Sequence, residues 1–136
     1  MKLNPYLNFA GNAEEVVNFY KDALDGEIVM LNRFGDSPMP SDEDWKQKIM
    51  HARIVFGGDN IIMISDTMKG DPLSTNGNIQ LSIGLDDEAK THDLFNKLSA
   101  GGTVILPPSK QFWGDVFGML KDKFGVTWML NCTEKK

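Results

Sequence analysis

The chain has 136 residues, a formal net charge of −5, 41% hydrophobic residues and 24% charged residues, the composition of an ordinary globular domain. The negative charge argues against a nucleic-acid partner, and no apolar run approaches the roughly 20 residues needed to cross a membrane. Cys132 is the only cysteine and is expected near the surface, so neither an internal disulfide nor a thiolate cluster for zinc is predicted.

The N-terminal part of the chain predicts a strand, a helix and a second strand. Pro5–Phe9 is a short apolar run that ends before Gly11 and predicts a strand. Asn12 is a favourable helix N-cap, and Gly26 ends the helical segment, after which Glu27–Phe34 predicts the second strand. Apolar residues recur at helical spacing between these two positions: Val16, Val17, Tyr20, Ala23 and Leu24. The helix is therefore expected to lay one apolar face on a sheet.

Residues Gly35–Lys48, hereafter the acidic loop, separate the second predicted strand from the third. Trp45 lies near the end of this loop, and four acidic side chains stand among prolines and serines: Asp36, Asp42, Glu43 and Asp44. A connection of this length is expected to contain one helical turn. Three interpretations are open, because such a loop is either a lid over a cleft, part of a subunit contact or a solvated connection.

The elements that follow repeat the same order. Ile49–Phe56 and Asn60–Ser65 predict a hairpin around Gly57–Asn60, and Asp66–Gly77 is a polar linker. The second half predicts, in chain order, a strand at Asn78–Leu85, a helix from about Asp87 to Ser99, a strand at Thr103–Leu106, a loop at Pro107–Pro108, a strand near Phe112–Lys121, a turn at Asp122–Gly125 and a strand at Val126–Cys132.

The two halves also share a sequence register. Four residues recur 76 positions later: Ala13 as Ala89, Phe19 as Phe95, Lys21 as Lys97 and Gly26 as Gly102. This repeat predicts an α+β fold of two tandem βαβββ modules, about 1–68 and 77–134, within one domain spanning 1–136. The modules are expected to form a curved, mostly antiparallel sheet around a cleft, with the helices on the convex face. That cleft is the expected place for a ligand.

Side-chain alternation along each strand separates the helix-covered face from the cleft face. In Ile49–Phe56, the even-numbered residues, Met50 among them, are predicted to lie under the helix, which leaves His51 and Arg53 facing the cleft. The same alternation directs further polar side chains to the cleft: Asn78, Gln80, Ser82, Thr127 and Asn131. Convergent polar groups among apolar neighbours are typical of a small-molecule site. A half-exposed sheet that shows polar residues to water is the alternative.

Several segments of the chain resemble one protein family. Tyr6–Phe9, Ile49–Arg53, Phe112–Gly114 and Phe124–Met129 are similar to segments of the PhnB-like family, which belongs to the glyoxalase/bleomycin resistance/dioxygenase (vicinal oxygen chelate) superfamily. The resemblance covers nearly the whole chain. It implies paired βαβββ modules and a homodimer in which both chains help to build two clefts. It is less specific for activity, because the superfamily supports several chemistries on one scaffold.

The resemblance also bears on metal binding. Enzymes of the superfamily typically hold one divalent metal through four strand side chains, usually His, Glu or Gln, and the matching positions here are Pro5, Met63, Asn78 and Met129. Proline has no ligating atom, thioethers prefer soft ions, and a lone asparagine is a weak ligand. We therefore predict no metal ligands and no cofactor. A divalent metal bound at another place, with His51 among its ligands, is the alternative.

His51 is the best candidate for a catalytic residue, as a general base or as a metal ligand, with Asp115 on the matching strand of the other module as its carboxylate partner. A half-buried, hydrogen-bonded His51 without such a role is the alternative. Arg53 is predicted either to hold an anionic ligand in bidentate fashion or to form an ion pair with the acidic loop.

The remaining candidates complete a ligand site. Trp113 is predicted either to stack on a planar ligand or to pack against a partner subunit. Met63 and Met129 are expected to form an apolar floor, and Asn78 and Gln80 to fix the ligand together with His51, Arg53 and Asp115.

Three hypotheses for function follow. The first is a homodimeric PhnB-like protein that binds a small organic ligand without the superfamily's usual metal, as the drug-binding members do. The second is a metal-dependent lyase, isomerase or dioxygenase with a non-standard metal site that involves His51, and the third is a non-catalytic dimeric interaction module. Met1–Pro5 lacks the apolar stretch of a secretory signal, which predicts a cytoplasmic location.

Overall fold

The computed structural model describes residues 1–38, 40–71, 73 and 79–133, and within them the order strand-helix-strand-strand-strand occurs twice. The chain divides into two units, Met1–Ser74 (unit 1) and Thr75–Lys136 (unit 2), and each unit carries one copy of this order. The predicted α+β fold of tandem βαβββ modules is therefore confirmed. Asn78, a predicted ligand contact, lies outside the described residues.

Unit 1 contains β1 (Tyr6–Phe9), α1 (Ala13–Ala23), β2 (Glu27–Arg33), β3 (Ile49–Phe56) and β4 (Asn60–Asp66). These strands form a mixed sheet in the order β1-β4-β3-β2, with β1 parallel to β4 and the other pairs antiparallel. Two short 3₁₀ turns, Phe34–Asp36 and Glu43–Trp45, lie between β2 and β3, where the sequence predicts one helical turn.

Unit 2 contains β5 (Leu81–Leu85), α2 (Glu88–Ser99), β6 (Thr103–Lys110), β7 (Val116–Lys121) and β8 (Thr127–Cys132). Its sheet has the equivalent order, β5-β8-β7-β6, and β5 is parallel to β8. No helix in the described part of the chain is long and apolar enough to cross a membrane.

The helix of each unit covers one face of the sheet in that unit. The predicted apolar stripe of α1 is buried, and the strand residues that it packs against are at most 2% exposed: Ala52, Ile54, Ile62 and Ile64. In unit 2, Phe95 and Leu98 of α2 are buried, as are Trp128 and Leu130 of β8. The alternate residues of each strand therefore belong to the face opposite the helix.

Asp66 joins three segments of unit 1 through backbone hydrogen bonds. Its Oδ1 atom accepts from the N–H groups of Gly11 (2.8 Å) and Ala13 (2.9 Å), and its Oδ2 atom accepts from the N–H of Ile49 (2.9 Å). The sequence assigns Asp66 to the polar linker, but the residue ends β4 and is 3% exposed. Asn12 precedes the helix as predicted, yet its side chain makes no capping hydrogen bond. The carboxylate of Asp66 satisfies the first N–H of the helix instead.

Asp122 has a similar role in the predicted turn before β8. Its Oδ1 atom accepts from the N–H groups of Phe124 (2.9 Å) and Val126 (3.0 Å), and its Oδ2 atom accepts from the indole Nε1 of Trp128 (2.9 Å). Gly125 has a φ of 90°, which glycine adopts without steric cost. The turn is therefore held by one buried carboxylate.

The predicted loop at Pro107–Pro108 is wrong, because both prolines lie inside β6. This strand is at the edge of its sheet, and its pairing with β7 skips from Leu106 to Ser109. A bulge at a sheet edge tolerates proline because it does not need the N–H that proline lacks.

Two strands begin later than the sequence predicts. β5 starts at Leu81, whose partner in β8 is Trp128. β7 starts at Val116 rather than near Phe112, because residues 111–115 form a turn in which the N–H of Gln111 donates to the carbonyl of Asp115 at 2.8 Å.

Two buried positions also differ from the prediction. Arg33 pairs with Ile49 and Asn32 with His51, so Met50 lies in a bulge, and Ile49 rather than Met50 is fully buried. Cys132, expected near the surface, is 1% exposed because it continues the buried face of β8 after Trp128 and Leu130.

Candidate functional site

A row of paired polar and apolar side chains crosses the sheet of unit 1 on the side opposite α1. This side of the sheet is hereafter called the helix-free face. Tyr6 of β1 pairs with Met63 of β4, and Met63 pairs with Arg53 of β3. Met30 of β2 pairs with Arg53 and completes the row. His51 precedes Arg53 by two residues on the same strand and therefore lies on the same face. Three predicted ligand contacts, His51, Arg53 and Met63, thus share one surface.

His51 makes a contact that the sequence does not reveal. The hydroxyl group of Tyr6 lies 3.2 Å from Nδ1 of His51, and the centroids of the two rings are 5.6 Å apart. Burial lowers the pKa of His51 below its ordinary value, and the nearby positive charge of Arg53 lowers it further. The imidazole is therefore neutral at neutral pH and is able to hydrogen-bond to Tyr6 and to accept a proton from a bound molecule.

Tyr6 is the functional candidate that sequence reasoning missed. Alternation within Tyr6–Phe9 indicates which residues share a face, but the pairing of β1 with β4 joins residues more than 50 positions apart. The pairing of β1 with β4 brings Tyr6 beside His51 of β3. No local sequence pattern predicts this pairing.

Arg53 has no acidic partner among the described residues. Its Nη2 atom lies 4.0 Å from Sδ of Met63, and its buried Nε–H group has no hydrogen-bond partner. Glu27, which pairs with Val55 on the same face, makes no ion pair with it. A buried donor without an acceptor costs about 1–3 kcal/mol. The guanidinium group of Arg53 is therefore able to bind an anionic group of a ligand.

The acidic loop does not supply that anion, although the sequence leaves an ion pair with Arg53 open. Asp42 and Asp44 both bind Lys69, with shortest distances of 3.4 Å and 2.7 Å, and Glu43 binds Lys46 at 2.7 Å. The carboxylate of Asp36 accepts from the backbone N–H of Arg33. Within the described range, each acidic side chain of the loop already has a partner.

Unit 2 carries different chemistry at the equivalent strand positions. Met129 of β8 pairs with Ser82 and Met119, as Met63 pairs with Tyr6 and Arg53 in unit 1. Asp115, just before β7, accepts a hydrogen bond from Nδ2 of Asn131 at 2.9 Å. The side chains of His51 and Arg53 on β3 therefore have no counterpart on β7.

The other predicted contacts of unit 2 are more exposed. Trp113 is 50% exposed, and its ring contacts those of Phe112 and Phe117 edge-on, with centroids 4.9 Å and 6.0 Å away. Phe112 is 96% exposed. Gln80 is exposed and stands immediately before β5. Trp113 and Phe112 therefore form an exposed aromatic surface, and Gln80 is a polar residue before the first residue of β5.

The residues at the positions of the superfamily's metal ligands do not fit a divalent metal. Pro5 offers no ligating side chain, and the thioether of Met63 is a soft donor that contacts the Arg53 cation. The described residues contain no group of three or more His, Cys, Asp or Glu side chains placed to hold a metal ion. The helix-free face instead combines a cation, a neutral imidazole and a phenol, which together suit an anionic organic molecule.

Comparison with known proteins identifies the family. Residues 1–131 match the family model described as 3-demethylubiquinone-9 3-methyltransferase. Protein YjdN of Escherichia coli K12 is 31% identical over 146 aligned positions, which cover 100% of this chain and 98% of YjdN.

Solved structures agree with this relationship. Protein PA1353 from Pseudomonas aeruginosa is 41% identical with a TM-score of 0.89, and the alignment covers 99% of both chains. A putative 3-demethylubiquinone-9 3-methyltransferase, the PhnB protein from Bacillus cereus, is 28% identical with a TM-score of 0.81 over 98% of this chain and 100% of its own.

More distant structures bear on the fold alone. Domains of the glyoxalase/bleomycin resistance/dioxygenase family share this fold at 14% identity. The chain therefore belongs to the PhnB-like family, the family whose model is described as 3-demethylubiquinone-9 3-methyltransferase.

Proposed function

We propose that this protein binds a small organic anion on the helix-free face of unit 1, with Arg53 as the partner of the anion. The observation that carries the proposal is the guanidinium group of Arg53, which has no carboxylate partner in the described part of the chain and leaves its Nε–H unsatisfied. A guanidinium group pairs with carboxylate, phosphonate or sulfonate groups through charge-assisted hydrogen bonds, which are about twice as strong as neutral ones.

The neighbours of Arg53 define the rest of the ligand. His51 and Tyr6 offer hydrogen-bonding groups, and the thioethers of Met63 and Met30 offer polarizable apolar surface in the same row. This combination suits an anionic group attached to an apolar or aromatic body. Few polar groups in an apolar setting fix the orientation of such a ligand.

The remaining ligand contacts, the oligomeric state and the location remain predictions from the sequence and the family resemblance. Asn78, Gln80, Trp113, Asp115 and Met129 are kept as predicted ligand contacts. A homodimer in the cytoplasm is kept as the predicted state of the protein. The metal-dependent enzyme with His51 as a ligand is not favoured, because His51 lies beside the phenol of Tyr6 and the cation of Arg53, and no group of three or more His, Cys, Asp or Glu side chains in the described part of the chain is placed to hold a metal ion.

A thermal-shift experiment with matched compounds tests the proposal. Benzoate and phenylphosphonate supply the anion, and benzamide supplies the same ring without charge. An anion at ten times its Kd is expected to stabilise the protein by about 1.4 kcal/mol, which is a rise of roughly 3–8 °C in Tm. Benzamide is expected to have a much smaller effect.

Two variants locate the response. Arg53→Met keeps the apolar stem and removes the charge, so the response to both anions should disappear. Arg33→Met is the matched control, since Arg33 is committed to Glu14 through two contacts of 2.8 Å and should not be needed for ligand binding. If wild type responds to no anion, or if Arg53→Met responds like wild type, the proposal is wrong.

A further inference from the structure

Trp45 and Lys48 attach the end of the acidic loop to the body of unit 1. The indole Nε1 of Trp45 donates to the carbonyl of Thr67 at 3.1 Å. The ammonium group of Lys48 donates to the carbonyl of Gly11 at 2.8 Å and lies 5.7 Å from the centroid of the Trp45 ring. This end of the loop is therefore fixed by specific contacts.

A cavity of about 350 Å³ lies between the acidic loop, β3 and the segment after β4. Its apolar wall contains the rings of Phe34 and Trp45 and the thioethers of Met50 and Met68. Ligand pockets in proteins range from about 300 to 1,000 Å³, so this cavity has room for a small bicyclic compound. Aromatic rings and sulfur atoms pack favourably against a flat aromatic body.

The polar side of the cavity ends at one ammonium group that is held by two carboxylates, of which Asp42 lines the cavity and Asp44 does not. Asp42 and Lys69 line it, and the ammonium group of Lys69 lies 3.4 Å from Asp42 and 2.7 Å from Asp44. The hydrogen bond with Asp44 raises the pKa of Lys69, and the same bond lowers the pKa of Asp44. Lys69 is therefore a charged, occupied ammonium group rather than a nucleophile or a free receptor for anions. Two carboxylates around one ammonium favour a cation over an anion.

We propose that this cavity is a second small-molecule site, which takes an aromatic amine, with the ring between Phe34, Trp45 and the two thioethers and the ammonium group toward Asp42. The site does not depend on Arg53, and its charge preference is opposite to that of the helix-free face. The two sites are therefore separable by ligand charge.

Methyl NMR of methionine tests this second site directly. The protein is labelled with ¹³C at the methionine methyl groups, and the signals are assigned with Met50→Leu and Met68→Leu. Tryptamine is expected to cause saturable shifts of the Met50 and Met68 signals, because its ring would lie against both thioethers. Indole-3-acetate has the same ring and the opposite charge, and it is expected to bind at least several-fold more weakly.

Three variants make the test specific. Asp42→Asn should narrow the difference between the two indoles, and Met68→Trp should fill the cavity and remove the tryptamine response at Met50. Arg53→Met should leave that response unchanged, so failure at this site is distinguishable from failure on the helix-free face. The proposal is overturned if tryptamine produces no saturable shift at Met50 and Met68, if its largest shift is at Met63, or if both indoles bind equally well.

Discussion

Two side chains on one strand set the chemistry of the helix-free face. Arg53 follows His51 by two residues, so the guanidinium group and the imidazole ring point to the same side of β3. Burial and the charge of Arg53 together lower the pKa of His51, which means that the folded protein resists a second positive charge there. An anion bound at Arg53 would reduce this resistance, because it offsets the charge that His51 otherwise meets.

Anion binding should therefore depend on pH. Because the pKa of His51 lies below its ordinary value of about 6.5, His51 gains its proton only as the pH falls below that value. The added charge is expected to strengthen benzoate binding roughly 3- to 10-fold between pH 7.5 and pH 5.

Isothermal titration calorimetry at several pH values measures this dependence. The His51→Gln variant removes the group whose pKa is lowered and should show a flat profile between pH 7.5 and pH 5. Binding that weakens as the pH falls in wild type, or an unchanged pH dependence in His51→Gln, would contradict this role of His51.

The sheet face on which His51 and Arg53 lie is predictable from the sequence, whereas the side chains that contact them are not. Alternation within β3 is a local property, and it places Ala52 and Ile54 under the helix. The contact of His51 with Tyr6 depends on the pairing of the strands. The lack of an acidic partner for Arg53 depends on the ion pairs that the acidic loop forms with lysines instead. Both features involve residues far apart in the sequence, so the spacing of residues along the chain does not predict them.

At the scale of elements, buried carboxylates hold the chain segments in place. Asp66 accepts from three backbone N–H groups that belong to the start of α1 and the start of β3. Asp66→Ala leaves these donors unsatisfied and is expected to lower the free energy of unfolding by at least about 2 kcal/mol. Asp59→Ala, in the exposed hairpin turn, is the matched control and should change it by less than about 0.5 kcal/mol. Urea unfolding compares the two, and equal losses would contradict the role of Asp66.

Glycines at equivalent sequence positions lie close to a neighbouring strand in each unit. A Cβ atom on Gly26 would stand 2.9 Å from Cγ2 of Ile54, and one on Gly102 would stand 2.8 Å from the carbonyl carbon of Asp122. Backbone atoms are unable to move aside as a flexible side chain does. A larger residue at Gly102 therefore requires a backbone shift, whereas at Gly26 the side chain of Ile54 would also have to move.

Gly102→Ala is therefore expected to lower the free energy of unfolding by about 2 kcal/mol or more. Gly84→Ala is the control, because a Cβ atom at Gly84 would meet nothing within 4 Å, and its effect should stay within about 1 kcal/mol. The midpoint of urea unfolding measures both. A Gly102→Ala protein as stable as Gly84→Ala would show that the backbone relaxes at no cost.

The sequence repeat predicts the order of helices and strands better than it predicts which helix residues of the two units are structurally equivalent. The sequence register of 76 matches Gly26 with Gly102, but the buried residues Val16 and Tyr20 of α1 correspond to Thr91 and Phe95 of α2, a spacing of 75. Helix packing, not identity, decides which residues are structurally equivalent. One residue of difference turns a helix by about 100°, so Phe19 and Phe95 do not share an environment.

At the scale of the whole chain, two modules of the same topology carry unlike surfaces. Arg53 in unit 1 corresponds to Met119 in unit 2, since each is the partner of a methionine in the next strand. A repeat that preserves the core and changes the helix-free face is consistent with a scaffold that supports different sites. The module order follows from the sequence repeat, whereas this asymmetry becomes clear only from the strand registers.

The homodimer predicted from the family resemblance makes a testable claim about Trp113. The aromatic surface of Trp113 and Phe112 is large and exposed in the single chain, as is typical of subunit contacts. Native mass spectrometry should find two 15.2 kDa chains in wild type, and Trp113→Ala should shift the population toward monomer. Leu3→Ala, another exposed apolar residue, should leave the dimer intact. A monomeric wild type, or a Trp113→Ala dimer of unchanged stability, would contradict this claim.

The most direct test of the central claim is the NMR signal of the arginine Nε–H groups during an anion titration. The chain has two arginines, so Arg53 is read beside Arg33, which is occupied by Glu14. If Arg53 binds the anion, benzoate will shift the Arg53 signal saturably, leave the Arg33 signal in place, and have this effect far more strongly than benzamide. An Arg53 signal that does not move, or that moves together with Arg33 in proportion to salt alone, would contradict the claim that this residue is the anion site.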